Sequence, residues 1–188
     1  MINIPIIQII GYSGSGKTTF ISKLIKSLKQ KGLKVAAVKH DVHGLDIDRE
    51  GKDSYIFSES GAEVSVVSSP EMAVFKIHKE LTLDDILSNI KDVDIIIVEG
   101  YTSSVECNKA VGAKFCEPNA SRGEHMCSSN LIIGLARQST GKGFKGDITN
   151  YDLLVTDIPE SEIRQLGYKN KILDINNIVE ISKIVELL

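Results

Sequence analysis

The 188-residue sequence contains no tryptophan, and aromatic residues make up only 5% of it. That argues against the stacking platforms on which single-stranded nucleic acids are held. An excess of positive charge is also missing: 22 Lys and Arg stand against 25 Asp and Glu, a net charge of −3. No broad basic face for nucleic acid is expected, although a local basic pocket stays open. Apolar runs never approach the roughly 18–20 residues that a membrane span requires. The opening "MINIPIIQII" has no basic n-region and is cut short at Gly11, so it does not read as a signal peptide. A cytoplasmic protein with no membrane partner is therefore expected. Cysteine is scarce, and Cys107, Cys116 and Cys127 are an odd number within one stretch, which speaks against a disulfide framework. Joined to His125 they make a poor zinc site: there is no Cys-x-x-Cys pair, and only Met126 separates His125 from Cys127. No metal is expected there. Arginine is thin as well, with only Arg49, Arg122, Arg137 and Arg164 and no cluster among them.

What is present is a regular alternation. "IPIIQII", "LKVAAVK", "VDIIIVEG", "NLIIGLA" and "YDLLVTD" read as strands, most of them continuous apolar runs of the kind buried on both faces of a parallel sheet. "EVSVVSS" and "MAVFKIH" are two more, split by the turn signal Ser69-Pro70. Phe20, Ile21, Leu24, Ile25 and Leu28 recur at helical spacing, with Gly32 where a helix end favours the left-handed region. "SYIFSESGA" reads as a short helix, Thr82 and Asp85 as a capping box, and "NNIVEISKIVELL" as a closing helix. The pattern predicts one α/β domain over residues 1–188, a mostly parallel sheet with helices on both faces. A divergent polar loop is expected at about 102–130, where no period is visible.

The turn "GYSGSGKTT" leaves the first strand and opens the first helix. Gly11 to Thr18 fits G-x-x-x-x-G-K-[ST], a phosphate-binding loop. Glycines are required where backbone N–H groups must close around a phosphate, and the helix start presents unpaired N–H groups to the same anion. Lys17 reaches the β- and γ-phosphates in such a loop, and the Thr18 hydroxyl ligates Mg²⁺. Glu99 ends the strand "VDIIIVE", at the sheet edge where open α/β folds place ligands, and is the candidate second acid. Asp94 begins the same strand, at the opposite edge. The polar stretch holding His40, Asp41, His43, Asp46, Asp48 and Asp53 reads equally well as a solvated loop and as a cluster that binds Mg²⁺, orients water or meets a substrate. The base is weakly specified. The Asn-Lys-x-Asp element that reads guanine is absent, and Asp157, at the end of "LLVTD", is equally a guanine acceptor and a strand-end cap.

On "GYSGSGKTT", "VKHDVHGLDIDREGKDSY", "SGAEVSVVSSPE" and "DIIIVEGY", in that order over residues 4 to 101, the sequence resembles the molybdopterin-guanine dinucleotide biosynthesis protein B (MobB) family. The later "LLVTD" and "ILDINNIVEI" are similar to the family's last strands and helix. The resemblance implies a P-loop NTPase fold and a homodimer that binds GTP and Mg²⁺, at most a weak GTPase. It implies an adapter for the guanylyltransferase that joins GMP to molybdopterin, with a molybdopterin-type ligand as a further partner. By matched position, Gly11, Ser13, Gly14, Ser15, Gly16, Lys17, Thr18 and Thr19 belong to the phosphate and Mg²⁺ site. Asp53 and Glu99 belong to the metal and water environment, and Lys39 and His40 begin the loop over the nucleotide. The family usually continues Glu-Gly-Tyr with a lysine and then Pro-Lys; here Thr102-Ser103-Ser104 follow. Two alternatives compete. A small-molecule kinase shares the loop but usually brings several arginines to the transferred phosphoryl group. A metal-delivery GTPase is suggested by His40, His43 and the cysteines, without a dense histidine tract.

Overall fold

The computed structural model describes residues 4–40, 48–101, 130–177 and 183–184. The cysteines, His125, Asp41, His43, Asp46 and most of the expected closing helix lie outside the described residues. The chain divides into two compact units: Met1–His40 with Ile90–Leu188, and Asp41–Asn89.

The first unit is built on a sheet of β1 (Ile6–Ile10), β2 (Val35–Lys39), β5 (Ile95–Glu99), β6 (Asn130–Ala136), β7 (Leu153–Thr156) and β8 (Lys171–Asp174). Its spatial order is β2-β5-β1-β6-β7-β8, and every pairing is parallel. β1 lies inside the sheet, with Ile9 level with Glu99 on one side and Ile133 on the other. Its five residues are all buried, as expected for an apolar run covered on both faces. Helix α1 (Lys17–Gln30) lays Phe20, Ile21, Leu24 and Leu28 against Ile7, Ile9, Ile97 and Ile133. At roughly 1.5–3 kcal/mol per fully buried large apolar side chain, this stripe holds the helix to the sheet. Its C-terminus closes as the sequence predicts: Gly32 sits at φ 83°, and the Leu33 and Gly32 amides donate to Leu28 and Lys29.

A second cluster forms around Ile10, Tyr151, Leu154, Ile163 and Tyr168. It uses α4 (Glu160–Gln165), a short helix that the sequence reading passed over. Gly134 leaves room for it, because a Cβ there would stand 2.6 Å from the Tyr151 ring.

The second unit carries α2 (Asp53–Glu59), the antiparallel pair β3 (Val64–Ser68) and β4 (Ala73–Ile77), and α3 (Leu83–Ser88). The predicted box at α3 is present: the Thr82 hydroxyl accepts from the Asp85 amide at 3.1 Å, and the Asp85 carboxylate accepts from the Thr82 amide at 3.0 Å.

Candidate nucleotide site

The loop from Gly11 to Gly16 leaves β1 and turns directly into α1. Gly11 has no space for a side chain, since a Cβ would meet the Leu135 carbonyl oxygen at 2.4 Å. Gly14 and Gly16 hold φ of 81° and 89°, the left-handed region that favours glycine. Helix α1 begins on Gly16 with no capping side chain and no acidic residue in its first turn. Its leading amides are therefore left for an anion. Ser13 and Gly14 are exposed, as are Thr18 and Thr19 on the first turn. Ser15 is buried, and its Oγ has no hydrogen-bond partner.

Lys17 folds back over this loop. Its Nζ donates to the Gly11 carbonyl at 3.0 Å and the Tyr12 carbonyl at 2.9 Å, and lies 3.9 Å from Glu99 Oε1. Burial lowers the Lys17 pKa, Glu99 opposes that, and the neighbouring charges of Lys145 and Lys39 add to it. Lys17 and Glu99, both singled out from the sequence, thus lie side by side at the mouth of the loop. The exposed Thr18 hydroxyl and the Glu99 carboxylate are hard oxygen donors of the type Mg²⁺ takes.

Gly100, at φ 91°, passes its carbonyl to the amide of buried Gln8 at 3.0 Å. Lys39 is the residue of β2 level with Glu99, and the His40 amide donates to the Glu99 carbonyl at 3.1 Å. The His40 ring packs on Tyr101 with centroids 4.5 Å apart. Asp53 belongs to the other unit, where it opens α2. Asp157 accepts the Gln138 amide at 2.6 Å, tying the ends of β6 and β7 together. The strand-end cap is thus formed, and a carboxylate has further lone pairs for other donors.

One residue here escaped the sequence reading. Arg137 follows β6, on the opposite side of β1 from Glu99, and its Nε lies 2.9 Å from where a Cβ of Gly16 would stand. Beyond it a cavity of about 460 Å³ is lined by Arg137, Gln138, Lys142, Phe144, Ile158 and Leu166, among others. Lys142 lies 6.0 Å above the Tyr12 ring. The available signal was positional: Arg137 directly follows a buried apolar strand.

The family model for molybdopterin guanine dinucleotide synthesis protein B matches residues 6–114. The chain belongs to the MobB family. The MobB relative from Haemophilus influenzae, a molybdopterin-guanine dinucleotide biosynthesis adapter protein, is 35% identical over 102 residues, which is 52% of this chain and 57% of that protein. The Escherichia coli adapter protein is 36% identical over 104 residues, 52% of this chain and 59% of that one. The chain thus spans somewhat more than half the length of these MobB relatives. The crystal structure of Bacillus subtilis MobB superposes with a TM-score of 0.65 over 98% of both chains, at 19% identity. This is the same P-loop NTPase fold. Among the described residues, no three His, Cys, Asp or Glu side chains are grouped to hold a metal ion, and no helix is long and apolar enough to cross a membrane.

Proposed function

We propose that this protein is a GTP-binding, Mg²⁺-dependent adapter in the formation of molybdopterin-guanine dinucleotide, serving a partner guanylyltransferase in the cytoplasm. The observation that carries the nucleotide part is the Lys17 ammonium, held on the Gly11 and Tyr12 carbonyls and facing Glu99. The adapter part rests on the MobB relatives, which bear that description.

In this reading the loop amides and Lys17 bind the β- and γ-phosphates, and Thr18 and Glu99 hold Mg²⁺, which neutralises phosphate charge. Because Glu99 marks one side of β1, the nucleoside end leaves on the other, past Arg137 and into the cavity beyond it. Asp157, next to Ile158 of that wall, is the guanine acceptor. Hydrolysis is slow, about 10⁻⁴–10⁻² s⁻¹ by analogy with unstimulated GTPases.

The working species is a homodimer. Val64, Val66, Phe75 and Ile77 form cross-strand pairs on one face of the hairpin and are 45–66% exposed. An isolated two-stranded ribbon is marginal in water, and an apolar face of this kind marks an interface. Calorimetry with GTP and ATP, each with and without Mg²⁺, tests the proposal. GTP binding in the micromolar range or tighter, weakened without Mg²⁺, is expected; a preference for ATP, or no binding, overturns it.

A further inference from the structure

The other face of the hairpin is differently furnished. Ser65 stands opposite Lys76 and Val67 opposite Val74, so the four share one face of the pleat. With Asp48 and Ser54 they line a cavity of about 190 Å³ that belongs wholly to the Asp41–Asn89 unit. That is below the roughly 300–1,000 Å³ of pockets that take drug-sized ligands, and it suits a single ring system.

The polar groups inside are unevenly used. Asp48 Oδ1 accepts from Ser54 Oγ at 2.9 Å and from the Arg49 amide at 3.0 Å. Oδ2 accepts from Lys76 Nζ at 3.3 Å, so among the described residues three of about four lone-pair sites on Asp48 are taken. Lys76 has two further N–H donors. Ser65 is 5% exposed and its Oγ has no hydrogen-bond partner among the described residues. A buried hydroxyl without a partner is destabilising, and a native fold that keeps one calls for an explanation. The Asp48–Lys76 pair cancels its own charge, so a free anion gains little here. What the cavity offers is an acceptor beside a donor, a spare hydroxyl, and two valine side chains. Its complement presents N–H next to C=O on a flat apolar ring.

We propose that this cavity binds the lactam edge of a planar heterocycle: the ring N–H donates to Asp48 Oδ2, the ring C=O accepts from Lys76 and Ser65, and the ring lies against Val67 and Val74. A guanine ring and a pterin ring both present that edge, and the site is separate from the phosphate loop.

The test uses the full chain and five probes: pterin, guanosine, the analogue of each methylated on the lactam nitrogen, and inorganic phosphate. Fluorescence follows the pterins and calorimetry the others. Saturable binding of pterin, of guanosine (measured in an Asp157→Ala background, which removes the guanine acceptor proposed beyond the phosphate loop) or of both is expected, at one site, weakened tenfold or more by the N-methyl group and by Ser65→Ala and Lys76→Met. Whichever parent ring binds identifies the source. Ser65→Ala should melt no lower than the parent protein, since it removes the orphaned hydroxyl, and it decides the matter if Lys76→Met does not fold. Both variants should keep GTP binding, which separates failure here from failure of the nucleotide reading. Absence of binding by both rings, indifference to N-methylation or to Ser65→Ala, or displacement of the ring by phosphate overturns the proposal.

Discussion

Isoleucine and valine do opposite things in the two units. In the central strands of the six-stranded sheet most of them disappear: β1 and β7 are buried throughout, and β5 at four of its five positions. In the hairpin the same residue types stay in view, with Val64, Val66, Val67, Val74 and Ile77 all 41–52% exposed. The difference lies in connectivity. A parallel crossover returns with a helix that covers the sheet it leaves, whereas a tight hairpin brings no cover with it. A strand's apolar residues state that something will cover it, and only the topology states whether this chain supplies the cover.

The sharpest way to break the contrast is a pair of truncations. Ile133 is fully buried beneath α1, so Ile133→Ala should cost about 2–5 kcal/mol of stability, read from denaturant midpoints at unchanged slope. Phe75, 66% exposed, should lose under about 0.5 kcal/mol on the same change measured at high dilution. Phe75→Asp should instead shift the protein toward monomer in sedimentation. If Phe75→Ala proves as damaging as Ile133→Ala in the dilute protein, the hairpin face is covered from within the chain and the dimer proposal falls.

A smaller effect separates the phosphate loop from its scaffold. Lys17→Ala removes a charge-assisted contact, for a loss of about 1.5–3 kcal/mol in nucleotide binding, roughly tenfold or more, with thermal unfolding of the ligand-free protein little changed. Since the Lys17 pKa is lowered by burial, affinity should decline with rising pH sooner than an ordinary lysine would dictate. Equal affinity in the parent and the variant would sink the assignment.

The mildest perturbation is alkaline titration. Tyr151 and Tyr168, both in the sheet unit, have their phenols pushed up to about 12, by burial first and by nearby Tyr12 and Asp147, or Asp152, second. In the unfolded chain they ionise near pH 10. From there to about 12 the unfolded state releases protons that the fold retains, so stability present below pH 10 is lost as pH rises through that window. Tyrosinate absorbance should show Tyr151 and Tyr168 ionising late, together with unfolding. Ordinary titration of these two contradicts the packing around Gly134.

How much of this was readable beforehand depends on how local the chemistry is. The turn between β1 and α1 could be read because its glycines, Lys17 and Thr18 are contiguous, and the nearness of Glu99 because a strand end fixes its position. The Thr82–Asp85 box and the Gly32 terminus were readable for the same reason. Arg137 was not, because its place beside Gly16 arises only when β6 pairs with β1, 124 positions away in sequence. Counting arginines by clustering in sequence missed it. Helix α4 is too short to show a period, although Pro159, Glu160 and Glu162 at its start and Arg164 near its end are suitable signals. The two strands of the hairpin were legible, and its separation from the main sheet was not. Nor was Ser65, since a serine in an alternating strand looks like any outward polar residue until burial singles it out.

Helix α3 is finished by its own chain, with Thr82 and Asp85 closing its first turn, whereas α1 starts on a bare glycine with nothing to receive its leading amides. In the proposed reading a bound phosphate is the capping group that the α1 sequence omits, and the ligand completes the secondary structure. Hydrogen exchange at residues 17–19 should run fast without nucleotide and slow when it is loaded, while the amides of α3 keep one rate throughout. On that reading the start of α1 is an occupancy gauge written into the backbone, and the exchange experiment reads it directly.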